Sequence, residues 1–158
     1  MRFETKKDLK ESGFDGFITI SELIKNKSLI SNQKGVYMVV CEDKLPEFVK
    51  KGSGGFYKGQ DPNVSIEELK ENWVEGTVAV YIGKAADLKK RLSMYIRFGN
   101  GKSASHWGGR YIWQIKDAGD LVMCWRPLRD EDPREVEAEL IAQFKKEYGK
   151  LPFANLKG

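Results

Sequence analysis

Two short β-rich runs constrain the fold of this chain more than any other feature. Gly35-Val36-Tyr37-Met38-Val39-Val40-Cys41 and Thr77-Val78-Ala79-Val80-Tyr81-Ile82-Gly83 are apolar, dense in β-branched and aromatic residues, and bounded by polar sequence. Runs of this length and composition make strands buried in a sheet. Leu121 to Arg126, closed by Pro127, is a third candidate. Phe14 to Ile20 is a strand-like or irregular lead, and Tyr111 to Ile115 reads as a further short strand.

Helical spacing fills the intervals. Ser21 is placed to cap a short helix beginning Glu22-Leu23-Ile24-Lys25, and Ser65 to cap another reaching Trp73, with Glu68 completing a capping box. From Asp87 to Phe98, the residues Leu88, Leu92, Tyr95 and Ile96 fall at helical spacing, and Gly99-Asn100-Gly101 stops the run. Asp132-Pro133 opens a last long helix reaching Tyr148 and ending at Gly149, proline being suited to a first turn. The fold class expected is α+β: a small, mainly antiparallel central sheet of three core strands, near 35–41, 77–82 and 121–126, flanked by the 87–98 and 133–148 helices. At 158 residues the chain reads as a single domain, 1–158.

Composition excludes some classes. No apolar run approaches the roughly 20 residues that span a bilayer. The leading segment MRFETKKDLKESGF is charged and has no apolar centre, so no signal peptide is expected. Cys41 and Cys124 each sit in an apolar run and read as small core residues of a reduced, cytoplasmic protein rather than as a disulfide pair. No cysteine–histidine cluster has zinc spacing, and Gly52-Ser53-Gly54-Gly55 is not followed by the Gly-Lys-Ser/Thr of a phosphate-binding loop. Trp73, Trp107, Trp113 and Trp125 read as core, although base stacking is open to them.

Charge is unevenly placed. Between Tyr81 and Lys116 stand Lys84, Lys89, Lys90, Arg91, Arg97, Lys102, Arg110 and Lys116 against Asp87 alone, eight against one, or +7. A chain of net charge +4 therefore carries −3 elsewhere. Such a band suits a polyanionic partner such as a nucleic-acid backbone, and equally a solvated helix face.

In the last helix Glu137 shares a stripe with Leu140, Ile141 and Phe144, whereas Glu135 and Glu139 fall on another. A carboxylate turned toward a core must bind a metal, pair with a cation such as arginine, or escape at the edge of the face.

Gly35-Val36-Tyr37 together with Tyr81-Ile82-Gly83-Lys84 resembles the signature of the GIY-YIG nuclease superfamily. The stretch from Tyr81 through Arg91 to Tyr95 is similar to the matching part of the nuclease domain in bacterial nucleotide-excision-repair incision proteins. Val136-Glu137-Ala138-Glu139-Leu140-Ile141 resembles that family's metal-binding helix, and Pro152-Phe153-Ala154-Asn155 its closing segment. The resemblance covers 34–41 and 77–156. The family joins its two tyrosine strands by a short hairpin. Tyr37 and Tyr81 here lie 44 positions apart, so 42–76 reads as an insert and 1–33 as an N-terminal extension.

The resemblance implies an endonuclease hydrolysing phosphodiester bonds, of DNA in the first place and RNA in the second. It implies one Mg²⁺ or Mn²⁺ ion, no organic cofactor and no membrane partner. Glu137 would hold the ion. Arg91 would neutralise charge on the phosphoryl group. Tyr37 would deprotonate or orient the attacking water, with Lys84 lowering its phenol's pKa from about 10. Tyr81 and Tyr95 would hold water and phosphate, and Asn155 would pin the geometry. From the basic band itself, Lys89, Lys90, Arg97, Lys102 and Arg110 are the expected nucleic-acid contacts, with His106 either a phosphate contact or auxiliary proton carrier, or simply a surface histidine in a turn. The rival expectation is a catalytically silent GIY-YIG-like module that binds nucleic acid or a partner protein.

Overall fold

The computed structural model describes residues 1–102 and 107–156, Trp107 by its backbone alone. His106 lies outside the described residues. The chain is α+β, and its centre is one antiparallel sheet of four strands: β1 (Asp15–Thr19), β2 (Gly35–Val40), β3 (Ala79–Ala85) and β4 (Val122–Pro127), in the spatial order β1-β4-β2-β3. Three strands stand where the apolar runs place them. The fourth, β1, comes from the lead and pairs along β4 with a bulge between Gly16 and Ile18. Polar and glycine-bearing, it has an edge strand's composition, so its sequence pattern is weak.

Helices cover both faces of the sheet. Tyr37 and Val39 project into one apolar layer with α4 (Leu88–Gly99) and α2 (Ile20–Lys25). Val36, Met38 and Val40 project into the other, with α5 (Pro133–Tyr148) and α1 (Lys6–Glu11). Double coverage explains why β2 is apolar at every position instead of alternating: all six of its residues are buried.

The helix starts follow capping chemistry. Asp87 accepts the Lys90 N–H and opens α4, and Asp132 accepts the Arg134 N–H with Pro133 at the first position of α5. For α2 the cap is Thr19, whose hydroxyl accepts from Glu22 N at 3.2 Å, so Ser21 lies inside the helix rather than before it. Ser65 caps α3 (Ile66–Asn72) through Glu68 N, but the Glu68 carboxylate accepts the Tyr111 hydroxyl instead of closing a capping box.

The expected strand at 111–115 is replaced by tight 3₁₀ turns over Trp107–Gln114, kinked at Gly109. Tyr111 through Ile115 are all buried. A strand against a single layer would turn alternate residues to solvent, whereas a tight coil can press the whole run inward.

The 42–76 insert packs on these turns. Gln114, 1% exposed, is the tie. Its Oε1 accepts from Val64 N at 2.8 Å, and its Nε2 donates to Val64 O at 2.9 Å and Val49 O at 3.1 Å. Val49 N and Ser53 N in turn reach the carbonyls of Gln114 and Trp113. Cys41 and Cys124 are free thiols in the two separate layers. Among the described residues no helix is long and apolar enough to cross a membrane.

Candidate active site

At the end of the sheet where β2 begins and β3 finishes, the first turns of α4 and α5 leave a gap. It is a cavity of about 610 Å³ lined by Tyr37, Tyr81, Lys84, Arg91 and Glu137, with Lys34, Asp132 and Arg134 also on its wall. Five of the seven residues expected to carry chemistry thus meet in one cleft, drawn from β2, β3, α4 and α5.

The two signature glycines have a steric origin. A Cβ on Gly83 would stand 2.4 Å from Cζ of Tyr37, so the missing side chain is what lets the Tyr37 ring lie across β3. Gly83 lies interior to β3, opposite Tyr37 in the ladder, so the strand runs past the apolar run to Ala85. A Cβ on Gly35 would meet the Arg126 carbonyl at 2.4 Å and Leu88 Cδ1 at 2.7 Å, which fixes how closely β4 and α4 approach the start of β2.

Tyr37 and Tyr81 form the inner wall, and Tyr95 packs behind them. Ring centroids are 6.0 Å apart for Tyr37 and Tyr81, 5.6 Å for Tyr81 and Tyr95, and 6.5 Å for Tyr37 and Tyr95. The Tyr37 phenol is hydrogen-bonded to the Arg91 guanidinium and to the Tyr81 phenol. Burial holds the Tyr37 phenol well above its usual pKa; nearby Tyr81 adds to this and Arg91 only partly opposes it. That corrects the expectation of a phenol acidified by Lys84. Lys84 alternates to the α5 side of β3, where its Nζ lies 3.2 Å from Glu137 Oε1. Tyr37 is a neutral phenol through the physiological range.

Two expected residues lie outside the cleft wall. Tyr95 is fully buried one turn along α4 from Arg91, and its hydroxyl donates to Gly109 O at 2.7 Å instead of facing a phosphate. Asn155 clamps the backbone of Ile82, accepting from its N–H and donating to its carbonyl, each at 2.9 Å. It pins β3, and with it Tyr81 and Gly83, from behind.

Glu137 is neither sealed nor free. Its side chain is 18% exposed and that of Lys84 is 45% exposed. A pair so open is worth less than about 1 kcal/mol, so a competing cation can displace Lys84 at little cost. Glu135 and Glu139 are exposed, as their stripe requires. Among the described residues no group of three or more His, Cys, Asp or Glu side chains gathers. A partly exposed carboxylate opening on a cavity of this size suits a hard ion that keeps most of its water shell. The Lys84 ammonium shows that Glu137 Oε1 already accepts a positive charge there. The residues present fit a Mg²⁺ or Mn²⁺ ion.

The expected nucleic-acid contacts divide. Lys89, Lys90 and Arg97 line a shallow groove along the outer side of α4, with Ser93 and Met94 between them. Lys102 is exposed just beyond the helix end. Arg110 lies apart from that groove, over the Tyr111 ring at 5.6 Å, and burial lowers its pKa. Lys34, Asp132 and Arg134 were not expected in the site. Their signal is positional: Lys34 precedes the glycine that opens β2, and Arg134 lies one helical turn before Glu137.

Comparison with protein-family models, with curated proteins and with solved structures finds no match to this chain.

Proposed function

We propose that this protein is a GIY-YIG-type endonuclease that hydrolyses DNA phosphodiester bonds with one divalent ion held by Glu137. The observation that carries the reading is convergence. Tyr37, Tyr81, Lys84, Arg91 and Glu137, spread over a hundred positions of sequence, line a single cleft open to solvent. A pure binding surface has no use for a carboxylate amid cations, because it repels the phosphate that the cations attract.

Each side chain has a task in that chemistry. Glu137, released from Lys84, would hold Mg²⁺ or Mn²⁺, which when bound polarises the scissile phosphate and stabilises the leaving oxygen. Arg91 reaches the cleft from the first turn of α4 and offers a planar fork to the phosphoryl oxygens. Tyr37, kept neutral by burial, orients the attacking water by hydrogen bonding, with Tyr81 bonded beside it. This favours orientation over proton abstraction for Tyr37. Lys84 supplies positive charge at the edge of the cleft once its partner is engaged. The groove on α4 would carry the flanking backbone and most of the salt-dependent affinity.

One observation favours the rival, a silent nucleic-acid-binding module: the Lys84 ammonium already occupies the Glu137 oxygen that an ion would take. Incubation with plasmid, single-stranded and branched DNA in Mg²⁺ or Mn²⁺ separates the two. The nuclease reading expects cleavage of at least one, lost in Arg91→Ala and poorly restored by Arg91→Lys, since a point charge replaces the fork. Salt-sensitive binding without any cleavage would establish the rival.

A further inference from the structure

A single scissile phosphate accounts for Glu137 with its ion, Arg91 and the two tyrosines, but not for the remaining charge of the cleft. Four cations, Lys34, Lys84, Arg91 and Arg134, line it against two carboxylates, Asp132 and Glu137, a net charge of +2. Lys84 is paired with Glu137 and Arg91 is bonded to Tyr37. The ion pairs among the described residues join Lys6 to Glu42, Lys7 to Glu11, Lys84 to Glu137 and Lys116 to Glu47, so neither Lys34 nor Arg134 has a carboxylate partner.

Both residues are well placed to meet an anion. Lys34 is half-buried, and its carbonyl accepts from Leu128 N at 2.9 Å. The preceding Gln33 and Ser31 carbonyls accept the first N–H groups of α4, from Leu88 and Lys89. The loop bearing Lys34 is thus tied to both β4 and α4. Arg134 sits in the first turn of α5, where Asp132 already takes its backbone N–H. With these backbone donors engaged, side chains must do the holding.

We propose that Lys34 and Arg134 form a second anion subsite, which takes a phosphate adjoining the scissile one in a polynucleotide. The inference rests on the phosphodiesterase reading of the Glu137 site. It assigns the cleft to internal linkages of a chain rather than to isolated phosphodiesters, since only a polymer brings further phosphates into the same cavity.

The test compares two substrates in Mn²⁺: a DNA oligonucleotide, and bis(p-nitrophenyl) phosphate, which has one phosphate and no neighbour. In Lys34→Ala and Arg134→Ala the ratio of kcat/KM for the oligonucleotide to that for the diester should fall roughly tenfold or more, through KM, as expected for a lost charge-assisted contact. Arg134→Lys should recover most of the ratio. A ratio unchanged in both variants would overturn the proposal, because a purely structural defect slows both substrates alike. If wild type hydrolyses neither substrate, the nuclease reading fails on its own and the subsite is judged by metal-free binding. Each alanine variant should then lower the slope of log K against log salt by about 1 for the oligonucleotide. An unaltered slope would refute it.

Discussion

At the scale of single residues, burial decides what the tyrosines can do. Tyr37, Tyr81 and Tyr95 are all held above the usual phenol range, in each case chiefly by desolvation. The native state therefore keeps protons that the unfolded chain gives up near pH 10. The stability this contributes is fully present below about pH 10 and is lost as pH rises toward the folded values. Urea midpoints measured between about pH 9 and 11 should fall with pH, and more gently in Tyr95→Phe, which keeps the ring and removes one ionisable group. Equal slopes would show that the buried phenols do not set alkaline stability. Gly83→Ala tests the other steric demand of the site. A methyl group 2.4 Å from the Tyr37 ring carbon must displace it, at a cost of about 1–3 kcal/mol read by denaturant unfolding. A neutral outcome would mean that the ring shifts freely.

At the scale of elements, the insert and the 3₁₀ turns behave as one unit joined through Gln114. Gln114→Ala leaves buried backbone groups of Val49 and Val64 without their partner and should cost about 2–4 kcal/mol. Hydrogen exchange should quicken in 48–64 before it does in β2. Uniform quickening would argue that the insert is no separate cooperative unit. The same elements mark the limits of the sequence as a guide. β2, β3, β4, α4 and α5 were legible because each couples a strong apolar pattern to a clear start or stop, such as Asp87, Asp132-Pro133 or Gly149. β1 was legible only as a strand-like or irregular lead and α1 not at all, because their pairing and packing come from distant segments: Thr77 bonds Phe3 O, and β1 takes its register from β4. The cleft was legible through Glu137, whose helical stripe placed it correctly. Tyr95 was read too close to the phosphate, because spacing tells which face a residue shares but not whether its polar group is spent on backbone, as it is here; Asn155, expected to pin the geometry, holds the Ile82 backbone from outside the cleft wall. Lys34 and Arg134 carried only a positional signal, beside Gly35 and one turn before Glu137, which gives a cation in sequence no direction of its own.

At the scale of the whole molecule, a doubly covered sheet holds a cationic cleft at its end, which a divalent ion would complete under the proposed function. A millimolar divalent ion should raise the melting temperature of wild type, by mass action on the folded state, and leave Glu137→Gln unmoved. An equal rise in both would place the ion elsewhere. The most direct measurement is metal-dependent cleavage of DNA by wild type, Glu137→Gln and Glu139→Gln, prepared identically, with binding measured alongside. Glu137→Gln keeps the size and helix of the native side chain but not its charge. It should lose roughly three orders of magnitude or more in rate while retaining salt-sensitive binding through the α4 surface. Glu139→Gln, exposed on the other stripe of α5, should cleave nearly as wild type does. Cleavage that survives Glu137→Gln, or falls equally in Glu139→Gln, would contradict the placement of the ion on Glu137 and the endonuclease reading built on it.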